Sequence, residues 1–72
     1  MADKYGRGYT FTHDWAGGIV LAETETGWTI YFQPGDDAAK IDDYFDLLVG
    51  ECGYDGQSAL RIIWEEYKGM AA

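Results

Sequence analysis

The stretch that decides the fold runs from Pro34 to Gly53 and reads PGDDAAKIDDYFDLLVGECG. Its large apolar residues recur at intervals of three and four, at Ile41, Tyr44, Phe45, Leu48 and Val49. That spacing is typical of the buried stripe of an amphipathic helix. The opposite side of the same helix carries three aspartates, Asp42, Asp43 and Asp46. The sequence therefore predicts one central helix with a buried stripe and an acidic outer face.

Both ends of this helix carry boundary signals. A proline–glycine pair precedes it, and Asp36 or Asp37 is predicted to cap the first turn because a carboxylate accepts the free amide protons there. Gly50 and Gly53 are candidate stop residues, since glycine commonly follows the last helical turn.

Three short segments before the helix have the composition of strands. They cover residues 9–13, 19–23 and 28–32, and turn residues including Gly27 separate them. Short loops between consecutive strands favour an antiparallel meander. Alternation predicts that one sheet face packs on the helices and that the other shows polar and aromatic side chains to water, namely Thr10, Thr12, Thr29 and Tyr31.

A second helix is predicted over residues 57–68, with Asp55 or Ser58 as its cap. Ile62 falls outside its apolar stripe beside two glutamates, so we expect it to be exposed. The predicted fold class is α+β, a three-stranded antiparallel β-meander followed by two α-helices packed on one face. The predicted core is Phe11, Ile19, Leu21, Trp28, Ile30, Phe32, Ile41, Tyr44, Phe45, Leu48, Leu60, Ile63 and Trp64.

The chain has the size and composition of one small domain. Its 72 residues are 17% aromatic, which helps to build a core where a single cysteine rules out an internal disulfide. We expect a single domain over residues 1–72, with a loosely ordered leader at 1–7 and a frayed tail at 69–72.

Charge is the outlying property of this composition. Thirteen acidic residues face five basic ones, for a formal net charge of −8, and only one of the acids lies within residues 1–7. A surface of this sign repels phosphates and acidic lipids, so we expect no direct binding of nucleic acid or of an anionic membrane. It attracts basic proteins. Asp42, Asp43 and Asp46 repel one another, at about 0.2–0.5 kcal/mol for each neighbouring pair.

The residues that carry chemistry do not form a recognisable catalytic or metal motif. His13 is followed by Asp14, but nothing in the sequence places a nucleophile beside them. We interpret Cys52 as a small packing residue, and Asp42, Asp43 and Asp46 lack the spacing of a calcium loop. The expectations are no enzyme activity, no cofactor and no metal. The first ten residues contain no apolar run and no segment approaches a membrane span, which favours a cytoplasmic protein.

In type, the chain resembles small anti-CRISPR proteins of phages and mobile elements, the acidic DNA-mimicking kind that act on type I systems. The resemblance rests on one small domain with three strands, two helices and massed carboxylates, and no shared motif carries it. It implies a bacterial host cytoplasm and a CRISPR surveillance complex as the target, at the subunit that reads the PAM. It also implies steric and electrostatic blockade without catalysis.

The predicted partner is therefore the basic DNA-binding surface of another protein. The predicted contacts are Asp36, Asp37, Asp42, Asp43, Asp46, Glu51 and Asp55, with Glu65, Glu66 and Ile62 as a secondary set and Glu23 and Glu25 as a fallback. Carboxylates four residues apart on a helix lie about 6 Å apart along the axis, near two phosphate steps of duplex DNA. Two other functions remain open. One is an inhibitor or immunity protein for another basic enzyme, and the other is an accessory subunit that docks through Trp15, Tyr31, Tyr54 and Ile62.

Overall fold

The computed structural model describes residues 8–70 and contains one antiparallel sheet. Its strands are β1 (Tyr9–His13), β2 (Ile19–Glu23) and β3 (Thr29–Phe32), in the spatial order β1-β2-β3. The predicted meander is confirmed, and the third strand starts one residue later than predicted. The register places Phe11, Leu21 and Ile30 side by side across the three strands.

Two helices follow the sheet, which confirms the α+β class. They are α1 (Asp36–Asp46) and α2 (Gly56–Tyr67). A π-helical turn at Leu47–Glu51 extends α1, and a 3-10 turn at Lys68–Met70 follows α2. Residues 69 and 70, predicted to belong to a frayed tail, thus form part of a regular turn. The predicted leader at 1–7 lies outside the described residues.

The core lies between one sheet face and the two helices. Its buried members are Ile19, Leu21, Ile30, Phe32, Ala38, Ile41, Leu48, Ala59, Leu60, Ile63 and Trp64. Phe11 and Phe45 are only partly buried, and their rings stack at a centroid distance of 5.0 Å. The other sheet face is open, and Thr10, Thr12, Thr29 and Tyr31 are exposed there as predicted.

Two predicted apolar positions are wrong. Trp28 is 55% exposed, because it lies in the β2–β3 turn before the part of β3 that the helices cover. Val49 belongs to the predicted buried stripe of the first helix but is exposed. Val49 lies at the edge of the stripe, eight residues and about 80° around the helix from Ile41. It falls within the π-helical turn, where the Cys52 amide bonds the Leu47 carbonyl five residues back.

The helix boundaries also correct part of the prediction. Gly35 is the N-cap of α1, and neither Asp36 nor Asp37 supplies a capping hydrogen bond. Both aspartates lie in the first turn, where their charge still favours the positive end of the helix dipole. The predicted cap of α2 is confirmed, because Asp55 accepts a hydrogen bond from the Ser58 amide at 2.8 Å. The first helical segment ends at Gly53, whose φ of 80° suits glycine, and not at Gly50.

One side chain joins the edge of the sheet to α2. Gln57 accepts a hydrogen bond from the Tyr9 amide at 2.8 Å and donates one to the Tyr9 carbonyl at 3.0 Å. It therefore pairs with β1 as a neighbouring strand would. This contact helps to fix the orientation of α2, and with it the groove between the helices.

Candidate protein-binding surface

Most of the predicted binding carboxylates lie on α1 and its π-helical extension. We call Asp36, Asp37, Asp43, Asp46 and Glu51 the acidic surface. All five residues are exposed. Within residues 8–70 there are two ion pairs, His13–Asp42 and Lys68–Glu65, and neither includes a member of this surface. Their charges are thus available to a partner.

Asp42 differs from its neighbours. Its Oδ1 lies 2.9 Å from His13 Nε2 at the end of β1, and its side chain is 45% exposed. His13 also meets the Phe11 ring edge-on at 5.5 Å. Of the three predicted central contacts, Asp42 is the one with a side-chain partner within residues 8–70. Asp42 ties α1 to the sheet through His13, whereas Asp43 and Asp46 take part in no ion pair within residues 8–70.

The remaining predicted contacts have partners of their own. Asp55 caps α2, and the hydrogen bonds from Ser58 lower the pKa of its carboxyl. Glu65 pairs with Lys68 at 2.9 Å, and that hydrogen bond lowers the pKa of Glu65. Within residues 8–70, these two carboxylates have side-chain partners that the members of the acidic surface lack.

The secondary set of predicted contacts, Glu65, Glu66 and Ile62, does not lie on one surface. Glu66 accepts a hydrogen bond from the Tyr44 hydroxyl at 2.9 Å, and this bond raises the pKa of that hydroxyl. Ile62, predicted to be exposed, is partly buried and packs against the core. Of the secondary set, only Glu66 faces the first helix.

Leu47, which lies between the two helices, is not among the contacts that the sequence predicts. Leu47 is 49% exposed and shares a groove with Tyr44 and Tyr67. The one available signal was that Leu47 is apolar but lies outside the stripe that contains Ile41, Tyr44 and Leu48. Lone apolar residues on a surface are common, so this signal had little weight.

The opposite side of the molecule carries exposed aromatic residues. Trp15 is 98% exposed at the β1–β2 turn, and Tyr31 is 46% exposed on the open sheet face. Asp14 organises this turn by accepting hydrogen bonds from the Ala16 and Gly18 amides and from the Tyr31 hydroxyl. The Tyr31 bond is the main reason that the pKa of Asp14 lies below its ordinary value.

Cys52 carries the single thiol of the chain. It is exposed, so its interpretation as a packing residue is wrong. His13 pairs with Asp42 and not with its sequence neighbour Asp14. Among residues 8–70, no three His, Cys, Asp or Glu side chains converge as a metal site would require. In the same part of the chain, no helix has the length and hydropathy to span a bilayer.

No protein-family model, curated protein or solved structure matches this chain. The geometry and charge of the chain itself are therefore the basis for inferring its function.

Proposed function

We propose that the protein is a non-catalytic inhibitor whose acidic surface occupies the basic nucleic-acid-binding surface of another protein. In line with the resemblance in type, we propose a type I CRISPR surveillance complex as the target, blocked at its PAM-reading, DNA-gripping subunit. The site of action is then the cytoplasm of a bacterial host cell.

The observation that carries this proposal is that the acidic surface is exposed and lies outside the ion pairs of the described residues. Net charge alone requires no such concentration on one helix. Repulsion between neighbouring carboxylates destabilises the free protein, and a basic partner relieves that repulsion.

The spacing along α1 is compatible with replacing phosphates. Asp36 and Asp43 lie seven residues apart on nearly the same side of the helix, about 10.5 Å along its axis. Three phosphate steps on one DNA strand cover about the same distance. Arginine and lysine side chains arranged for phosphates can therefore meet these carboxylates, although any helix with acids at this interval has the same rise.

The test compares two variants that remove the same charge. Asp43→Asn/Asp46→Asn neutralises the centre of the acidic surface, and Glu23→Gln/Glu25→Gln neutralises two carboxylates around the β2–β3 turn. Each is measured, with the unaltered chain, for inhibition of duplex binding by a panel of purified type I surveillance complexes. Fluorescence anisotropy of labelled target DNA is the readout, and circular dichroism checks the fold.

We expect the unaltered chain and the turn variant to inhibit, and the α1 variant to lose most of its inhibition. If both variants inhibit as strongly as the unaltered chain, the acidic surface only keeps the protein in solution. Failure of the unaltered chain to inhibit any complex in the panel would refute the CRISPR target. In that case, inhibition of other basic nucleic-acid-binding enzymes is the next assay.

A second function is favoured by the exposed aromatic residues of the sheet side. Trp15 and Tyr31 are suited to docking as an accessory subunit, with charge serving solubility. The two functions differ in their dependence on salt. Binding through the acidic surface weakens steeply as salt rises, whereas docking through aromatic residues changes little.

A further inference from the structure

A groove between α1 and α2 has a composition that the acidic surface does not share. It has a volume of about 620 Å³ and is lined by Lys40, Asp43, Tyr44, Leu47, Glu66 and Tyr67. Half of these residues are apolar or aromatic, and two are carboxylates. We call it the interhelical groove.

The apolar part of the groove is available to a ligand. Leu47 is 49% exposed, although its neighbour Leu48 is buried in the core. The rings of Tyr44 and Tyr67 are partly buried and pack against the core cluster, so the core holds them in place. A ligand that enters the groove therefore meets a preformed apolar wall.

The charged part of the groove is held in a defined position. The Tyr44 hydroxyl donates to Glu66 Oε1 at 2.9 Å, which links the two helices and leaves Glu66 Oε2 outside that bond. Asp43 comes from the other helix and takes part in neither ion pair of the described residues. Lys40 is the one base among the six lining residues, so the groove has an excess of negative charge.

We propose that the interhelical groove receives an arginine side chain from the basic partner, a proposal that rests on the function proposed above. The methylene stem of arginine covers Leu47, and the guanidinium reaches Asp43 and Glu66. A planar guanidinium also stacks on tyrosine rings and donates five hydrogen bonds in a fixed arrangement. Lysine provides a compact charge without that plane, so it fits less well. A phosphate or an acidic peptide is repelled.

Binding can be measured directly on the full chain without the partner. The probes are the blocked peptides Gly-Arg-Gly, Gly-Lys-Gly and Gly-citrulline-Gly, in which citrulline keeps the shape of arginine without its charge. Each is titrated into the ¹⁵N-labelled protein at constant ionic strength, and amide chemical shifts are followed. We expect the arginine peptide to give saturable shifts around Tyr44, Leu47 and Glu66, the lysine peptide weaker ones and the citrulline peptide none.

The variants separate the groove from general charge attraction. Glu66→Gln keeps an acceptor for Tyr44 but removes the charge, and Leu47→Ser removes the apolar wall without a charge change. Each should weaken the arginine peptide by about two- to fivefold. Glu25→Gln removes one exposed charge outside both the groove and the acidic surface and should leave the peptide affinity unchanged.

Several results would overturn the proposal that the groove binds arginine. One is the absence of saturable shifts at tens of millimolar peptide. Equal weakening by Glu25→Gln and Glu66→Gln would mean that the attraction is general, and equal binding of the citrulline peptide would mean that the groove does not require a charged group.

The inhibition assay distinguishes this failure from failure of the proposed function. Full inhibition by the Leu47→Ser and Glu66→Gln variants would contradict the role of the groove but not the proposed inhibition. Specific arginine binding by a chain that inhibits no complex would contradict the proposed inhibition but not arginine binding in the groove.

Discussion

Carboxylates on the two sides of this small domain differ in whether they have hydrogen-bond or ion-pair partners within the fold. On the sheet side, Asp14 is surrounded by donors, since two amides and the Tyr31 hydroxyl reach its carboxylate. On the helical side, Asp43 and Asp46 are exposed and outside the ion pairs of residues 8–70. A carboxylate with several internal donors is explained by the fold. Carboxylates that repel each other without such partners are the ones that the proposed function assigns to binding.

The two sides also differ in the charge of their exposed surface. The open sheet face carries Thr10, Thr12, Val20, Ala22, Thr29 and Tyr31, none of which is ionised at neutral pH. The outer face of α1 is mostly carboxylate. With a net charge of −8, the chain thus keeps one face nearly neutral and concentrates acid on the other.

The largest expected effect comes from separating the two layers. Trp64 is buried between α2 and the sheet, and its ring lies 5.9 Å from that of Tyr9. Trp64→Ala should lower the free energy of unfolding by about 3–5 kcal/mol, because it removes a large buried side chain and leaves a cavity. Urea denaturation followed by circular dichroism measures this loss.

The matched aromatic control for that experiment is Phe45→Ala. Phe45 stacks on Phe11 but is only partly buried, so its loss should be smaller than that of Trp64. A larger loss at Phe45 would show that the contact between α1 and β1 contributes more than the buried centre of the core.

A smaller effect is expected where α2 joins the sheet edge. Gln57→Ala removes two hydrogen bonds to the Tyr9 backbone and should lower the free energy of unfolding by about 1–2 kcal/mol. Urea denaturation gives the value, and hydrogen exchange at the Tyr9 amide gives a local readout. The control is Gln33→Ala, an exposed glutamine at the end of β3. Unchanged exchange at Tyr9 in Gln57→Ala would contradict the role of Gln57 as an edge partner.

A still smaller effect distinguishes Asp42 from Asp46. Asp46→Ala relieves repulsion on α1 and should raise the melting temperature slightly at low salt. Asp42→Ala relieves similar repulsion but breaks the contact with His13, which contributes about 0.2–1 kcal/mol at an exposed site. We therefore expect a lower melting temperature for Asp42→Ala than for Asp46→Ala, measured by differential scanning fluorimetry.

The same pair of variants provides its own check. In a His13→Ala background the difference between Asp42→Ala and Asp46→Ala should shrink, because the specific contact is already absent. An unchanged difference in that background would mean that His13 is not the reason for it.

The smallest expected effect concerns pH. The pKa of Asp14 is held below its ordinary value by the hydrogen bond from Tyr31 and by backbone amides. A depressed folded-state pKa contributes stability above the unfolded-state pKa, and that contribution is lost as pH falls through the folded-state value. The stability advantage of the unaltered chain over Asp14→Asn should therefore be largest near neutral pH and disappear in acid.

Tyr31→Phe tests the stated cause of that pH dependence. It removes the hydroxyl that donates to Asp14 and should remove part of the same acid-sensitive stability, measured by urea denaturation across the acidic range. If the acid dependence of Tyr31→Phe equals that of the unaltered chain, the backbone amides alone account for the lowered pKa.

The sequence determined by itself the strand positions, the two helices, most of the core and the sign of the surface. Period-two and helical patterns are local, and burial follows from them wherever one face of an element has an apolar majority. Asp55 as a cap was also predictable, because its hydrogen bond to Ser58 spans three residues.

Only the tertiary structure decided which carboxylates are free and where the interhelical groove lies. His13 and Asp42 are 29 residues apart in the chain, and Tyr44 and Glu66 are 22 apart, so no local pattern pairs them. Val49 is exposed in a π-helical turn, a backbone hydrogen-bonding pattern that side-chain periodicity does not encode. The exposure of Trp28 depended on how far the helices extend over the sheet. Each of these outcomes follows from how the layers pack, which fixes long-range contacts that the order of residues leaves open.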